Sequence, residues 1–222
     1  MKYAVVGGAR FKKGSEILFD KIIFQSNGYL SKKIFKYKKN LIGIQDFTLR
    51  FFEHDDELKY KRYSKVLDML YLDNDCLDVI LHKSHSSDIS FFKQYSKINI
   101  IKILDHRDVI IDLFKFFGFW NLLRTYNLKE IILAALLFFK IIHKVNSNLR
   151  PSNGFYNIMR SYNKLDNNSE LHCFGFSNPD TKIYINDYLK FNFRPHQKID
   201  QKIFNKIIRD KKVFWNKIDA IN

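Results

Sequence analysis

The chain has 222 residues, 46% apolar and 16% aromatic, which is enough to bury a core and excludes a disordered chain. Its 38 Lys and Arg exceed its 23 Asp and Glu for a net charge of +15, which fits a nucleic-acid binder or a protein that handles anionic ligands near an anionic surface. Two cysteines, Cys76 and Cys173, exclude a disulfide framework and a four-thiolate zinc site, and the longest apolar run, Ile131 to Phe139, falls far short of the ~20 residues that span a bilayer.

Taken in chain order, Tyr3–Val6 is β-rich and ends in Gly7-Gly8, so the N-terminus reads as a strand and turn rather than a signal peptide. Ile22–Phe24 and Asn40–Ile44 are further strand candidates, and Leu58 to Leu72 has apolar residues at helical spacing. Leu77–Leu81 and Ile98–Leu104 read as strands. Val109 to Val145 reads as helix with a break near Gly118. Gly154–Tyr162 is a helix entered from Arg150-Pro151-Ser152-Asn153, and Glu170–Phe174 is a strand closed by Gly175. Asp200–Arg209 carries Ile203, Phe204, Ile207 and Ile208 on an apolar side, and Val213–Trp215 is a last short strand. Strands alternating with helices predict a single α/β domain over residues 1–222 with a mostly parallel sheet. Ligands of such sheets lie outside the carboxyl ends of the strands. The loops after Val6, Leu81 and Phe174 are therefore the places to look for a site.

The charge is uneven. Residues 1–65 hold 15 Lys and Arg against 7 acids, and residues 190–217 hold 9 against 2. The densest run, Lys32 to Lys39, reads equally as a solvated loop, so charge alone does not choose a function. Five motifs carry more. The Gly7-Gly8 turn lets backbone approach a nucleotide, but it is neither a Walker A loop nor a dinucleotide fingerprint. Asn27 follows a strand, where an amide can read a base or ribose, and Asn-Gly is also a plain turn pair. Ser152, Asn153 and Gly154 enter a helix whose first amides could hold a phosphate or carboxylate, and capping alone accounts for a Ser or Asn there. Gly175 ends a strand between Phe174 and Phe176. His196 lies on a loop four residues before Asp200, where a His can act as general base or be merely structural.

The order of these motifs resembles the sialyltransferases, above all the animal-type family, with features of the small Campylobacter-type enzymes. In that family a hydrophobic strand meets a Gly-Asn-Ser-Gly turn, passes a Gly-Ser and an Asp, and ends in a strand with Arg-x-Asn. The chain has Ala4-Val5-Val6-Gly7-Gly8, Gly14-Ser15, Asp20 and Phe24-Gln25-Ser26-Asn27. The second family motif, Pro-Ser/Thr-Thr/Ser-Gly before a helix and a strand ending Tyr-Gly-Phe, is matched by Pro151–Gly154 and Cys173–Phe176. Tyr184 and Tyr188 follow, and His196 with Asp200 matches the terminal His and acid. The likeness covers residues 3–28 and 150–215; residues 29–149 form a divergent middle that includes a candidate acceptor lid. Gly8 stands for the family's Asn, Gln25 for its Arg, Asn153 varies the Pro-Ser-Thr-Gly pattern, and the cysteines that link the family's two long motifs are missing.

The resemblance implies a Rossmann-like variant of the GT-A fold and an inverting transfer of an acidic 2-keto-3-deoxy sugar from its CMP donor. The donor is CMP-sialic acid, with CMP-Kdo as the alternative, and the acceptor is a glycan or glycolipid in capsule, surface polysaccharide or lipooligosaccharide synthesis. It implies His196 as base and Asp200 as its partner. Gly7, Gly8, Asn27, Ser152, Asn153, Gly154 and Gly175 would line the CMP pocket, and Tyr184, Tyr188 and Lys182 would meet the phosphate. No metal or other cofactor is expected, because CMP is already a good leaving group. The expected setting is the cytoplasm, with peripheral contact to the anionic inner face of a membrane through the basic loops and the Phe/Leu-rich 109–142 segment, which reads first as core helix. A basic nucleic-acid-binding module without catalysis is the alternative of another class, but no zinc site, helix-turn-helix or RNA-binding aromatic motif supports it, so no nucleic-acid partner is expected.

Overall fold

The structure, a computed structural model, describes residues 1–7, 17–25, 36–37, 43–47, 77–82, 93, 96, 98–143, 147–176 and 196–216. Among the described residues, seven strands form one parallel sheet: β1 (Lys2–Val6), β3 (Lys21–Gln25), β5 (Gly43–Phe47), β6 (Leu77–His82), β7 (Ile98–Leu104), β8 (Glu170–Phe174) and β9 (Val213–Trp215). Their order across the sheet is β7-β6-β5-β3-β1-β8-β9. The two-residue strands β2 (Leu18–Phe19) and β4 (Lys36–Tyr37) pair separately. Each pairing in the main sheet is parallel, as the β/helix alternation of the sequence predicts. The third strand candidate, Asn40–Ile44, overlaps β5 at Gly43 and Ile44, and β5 runs on to Phe47; residues 40–42 lie outside the described residues.

The block β1-β8-β9 shows how the sequence builds two faces. In register, Tyr3 lies opposite Leu171, Val5 opposite Cys173, and those two β8 residues opposite Val213 and Trp215. This set points to the helices and belongs to the main core. The alternating set, Ala4, Val6, His172, Phe174 and Phe214, occupies the other face. There Phe19 of β2 packs edge-on against His172 and Phe174, and His172 stacks on Phe214 at 4.6 Å.

Helices flank the sheet. α1 (His106–Phe117) starts at Asp105, whose carboxylate accepts from the Asp108 backbone N–H while the Asp108 side chain accepts from the Asp105 N–H. It stops at Gly118, whose φ of 79° is a conformation that side chains disfavour. The short α2 (Phe119–Leu123) follows. A second break, beyond the one expected near Gly118, precedes α3 (Leu128–Phe138), and the Asn127–Glu130 capping box sets it. α4 (Asn153–Tyr162) lies against β1, β3 and β8 and is buried over most of its surface. α5 (Gln197–Ile207) starts three residues before the predicted Asp200, so that Ile199, Ile203 and Ile207 make the buried stripe. The helical candidate at Leu58 to Leu72 lies outside the described residues.

Candidate functional site

The chain leaves β1 toward β3 on one side and returns to β8 on the other, so strand order reverses at β1. The crevice outside the carboxyl ends of β1 and β8 is the switch point, where open α/β sheets bind ligands. Gly7 and Gly175, read from the sequence as separate motifs, meet here. The Gly7 N–H donates to the Phe174 carbonyl at 2.7 Å. A methyl group on Gly7 would sit 2.4 Å from the Gly175 carbonyl oxygen and 2.8 Å from the Phe176 ring. Gly175 itself has φ 67°, the left-handed turn that a strand exit of this kind requires.

Phe176 links this turn to the first turn of α4. Its ring lies 6.0 Å from that of Phe155, and both lie about as far from Trp215 at the end of β9. The N-terminus of α4 therefore faces the carboxyl edge of the sheet. Ser152 occupies the N-cap position, yet its hydroxyl makes no capping bond to the helix, unlike the Ser/Asn cap that the sequence permits. The first amides of α4 point along the helix axis with the positive end of its dipole.

The same segment is bound to the start of α5. Asp200 is 1% exposed, and its carboxylate accepts the Ser152 backbone N–H at 2.9 Å. His196, the N-cap residue of α5, bonds through Nδ1 to the Arg150 carbonyl at 3.0 Å. A carbonyl can only accept, so this bond is donated by an Nδ1–H, and in the neutral form of the ring the lone pair then lies on Nε2. Two motifs more than forty residues apart thus form one hydrogen-bonded unit. The sequence pairs His196 with Asp200 by spacing, but the bond from Asp200 to the Pro151-Ser152 turn was not anticipated. Its signal was an acid set in the apolar Ile199–Ile203 stripe, where a carboxylate needs a partner.

Gly154 is buried in the first turn of α4, and Asn153 is its first residue. Gly8, Asn27, Lys182, Tyr184 and Tyr188 lie outside the described residues. Cys173 is buried, and burial drives its thiol well above the ordinary range, so it is a core residue rather than a nucleophile. His172 is held below its usual value, first by burial, against the opposing hydrogen bond to the Glu170 carboxylate at 3.2 Å. The same bond, ahead of the nearby Lys2, lowers Glu170. Among the described residues no group of His, Cys, Asp and Glu is arranged to hold a metal ion, and no helix is long and apolar enough to cross a membrane. No family model, curated protein or solved structure matches the chain at a significant level.

Proposed function

We propose that the chain is a Rossmann-like, inverting CMP-sugar-dependent glycosyltransferase. The observation that carries the reading is the junction in which Asp200 holds the Ser152 amide and His196 holds the Arg150 carbonyl, beside the carboxyl edge where Gly7 meets Gly175. In the sialyltransferase-like pattern these four points are the two nucleotide-binding turns, the helix entry and the base. The donor is CMP-sialic acid, and CMP-Kdo, which shares the 2-keto-3-deoxy acid and the nucleotide, is the alternative.

In this reading the acceptor hydroxyl gives its proton to Nε2 of His196 as its oxygen bonds to the anomeric carbon. The bond from that carbon to the phosphate oxygen breaks, and its electron pair leaves with CMP. Proton removal by a base so placed contributes about 10²–10⁴-fold. The Arg150 carbonyl fixes the tautomer and becomes the acceptor for an imidazolium N–H, so the same bond serves before and after transfer. The first amides of α4 are a ready partner for the departing phosphate. Asp200 is a positioning residue: it holds the Pro151-Ser152 turn against α5. The reading puts the enzyme in the cytoplasm, supplied with a nucleotide-activated sugar and a glycan or glycolipid acceptor.

The test is CMP release from CMP-sialic acid and from CMP-Kdo in EDTA, with and without a lipooligosaccharide acceptor mixture, for the native protein and His196→Ala. Release that persists in EDTA and falls by about 10²-fold or more in the variant, with CMP binding retained, is the expected result. No release from either donor, together with no CMP binding, overturns the proposal.

A further inference from the structure

We propose that the outer face of α3 is a docking surface for an anionic lipid bilayer. Beyond Lys129 and Glu130 in its first turn, α3 is apolar on every side, a pattern that belongs to a covered helix. One side is covered: Ala134 and Leu137 are buried, and Ile131 and Leu133 pack against the core. The other side is bare. Leu128, Ile132, Ala135 and Phe139 follow at helical spacing and are all exposed, Leu128 at 74% and Phe139 at 72%. Trp120 of α2 is exposed to a similar degree. A run of large apolar side chains on the outside of one helix marks an interaction surface.

Charge selects the occupant. From Lys115 to His143 the chain has four Lys and Arg and one acid, Glu130. That acid is occupied by Lys198 at 3.1 Å. Lys129 and Lys140 are exposed at the two ends of the stripe, and the Arg107 guanidinium lies over the Phe138 ring at its C-terminal end. An apolar stripe lying in the surface plane, with cations at its margins and an exposed Trp, is the arrangement that seats a helix among anionic headgroups. A second copy of the chain would bring the same cations, and another net +15, against these. The Glu130–Lys198 bridge also ties the first turn of α3 to the first turn of α5, two residues beyond His196. Docking through α3 would thus bring the His196 end of α5 close to the lipid surface. On the transferase reading, and only there, this favours a membrane-anchored acceptor over a soluble one.

Flotation with phosphatidylcholine vesicles, with and without phosphatidylglycerol, tests the surface on the full chain. Binding to the phosphatidylglycerol vesicles that weakens with salt is expected, and a double Ile132→Glu, Phe139→Glu variant should bind at least about tenfold more weakly. Both positions are exposed, so its thermal melt and CMP binding should match the native protein. A Lys129→Gln, Lys140→Gln variant, which leaves the apolar stripe intact, should lose part of the binding. Native binding unchanged by the Glu substitutions would overturn the proposal, as would no binding to either vesicle. Self-association of the native chain that the Glu variant abolishes, without vesicle binding, would overturn it in favour of a second copy. Loss of CMP binding by the native chain would strike the transferase reading and leave the docking result standing.

Discussion

Gly7→Ala isolates the packing at the carboxyl edge of the sheet. Gly7 does not adopt a positive φ, so alanine meets no conformational obstacle there. The cost is steric. The new methyl would lie 2.4 Å from the Gly175 carbonyl oxygen, about 1 Å inside the shortest ordinary contact, and 2.8 and 2.9 Å from two atoms of Phe176. A ring can rotate aside, but the Gly175 carbonyl is backbone, and Phe174 just before it is fixed by the 2.7 Å bond from the Gly7 amide. Relief therefore requires that bond to stretch or the turn to move. Overpacking of this kind costs about 1–3 kcal/mol, and a backbone obstacle argues for the upper end. For a chain of this size about 3 kcal/mol corresponds to a fall in Tm of roughly 6–12 °C. Far-UV circular dichroism melts of the purified proteins would measure it. Because Phe176 packs on Phe155, the movement should reach the first turn of α4 and weaken CMP binding at temperatures where the variant is still folded. A melt within a degree or so of the native protein would refute the close approach of the two turns, and with it the geometry of the candidate site.

Other substitutions probe separate parts of the argument. Gly118→Ala meets open space but must hold φ near 79°, so its cost of about 1–3 kcal/mol is backbone strain, and CMP binding should be unchanged. Asp200→Asn keeps an oxygen for the Ser152 amide and should cost less than Asp200→Ala, which leaves that amide unmatched for about 1–3 kcal/mol; equal urea midpoints would disprove the role of the bond. His172 is depressed in the fold, so between its lowered value and the ordinary histidine range only the unfolded chain takes up the proton. Its contribution is therefore lost as pH falls through that window, and His172→Phe, which keeps an aromatic ring on Phe214, should flatten the decline in stability below about pH 6.5. Cys173 should resist alkylation in the native protein at mildly alkaline pH and react fully in denaturant, as peptide mapping would show.

The parallel sheet was legible because its strands are short apolar runs closed by turn residues, such as Tyr3–Val6 before Gly7 and Glu170–Phe174 before Gly175. The break at Gly118 was legible for the same reason. The break before α3 was not, although Asn127 and Glu130 stand at capping-box spacing, because apolar residues dominate both flanks. The far end of β5, Gln45–Phe47, was not legible because Gln45 and Asp46 are polar, and pairing with β3 and β6 carries the strand through them. At the site, spacing linked His196 to Asp200, but no one-dimensional pattern could reveal that both reach back to Arg150 and Ser152. Nor could it separate the inner side of α3 from the bare one, since both are apolar.

The position of β1 has a consequence for synthesis. It is an interior strand whose partner on one side, β8, is translated only after nearly all the other strands, with Lys2 waiting for Glu170. Until then the nascent chain carries an uncovered, apolar strand edge at the middle of its future sheet. Such long-range pairing slows folding and leaves an edge open to pairing with other chains. Soluble yield should therefore respond to translation speed, temperature and chaperone supply more than equilibrium stability alone suggests.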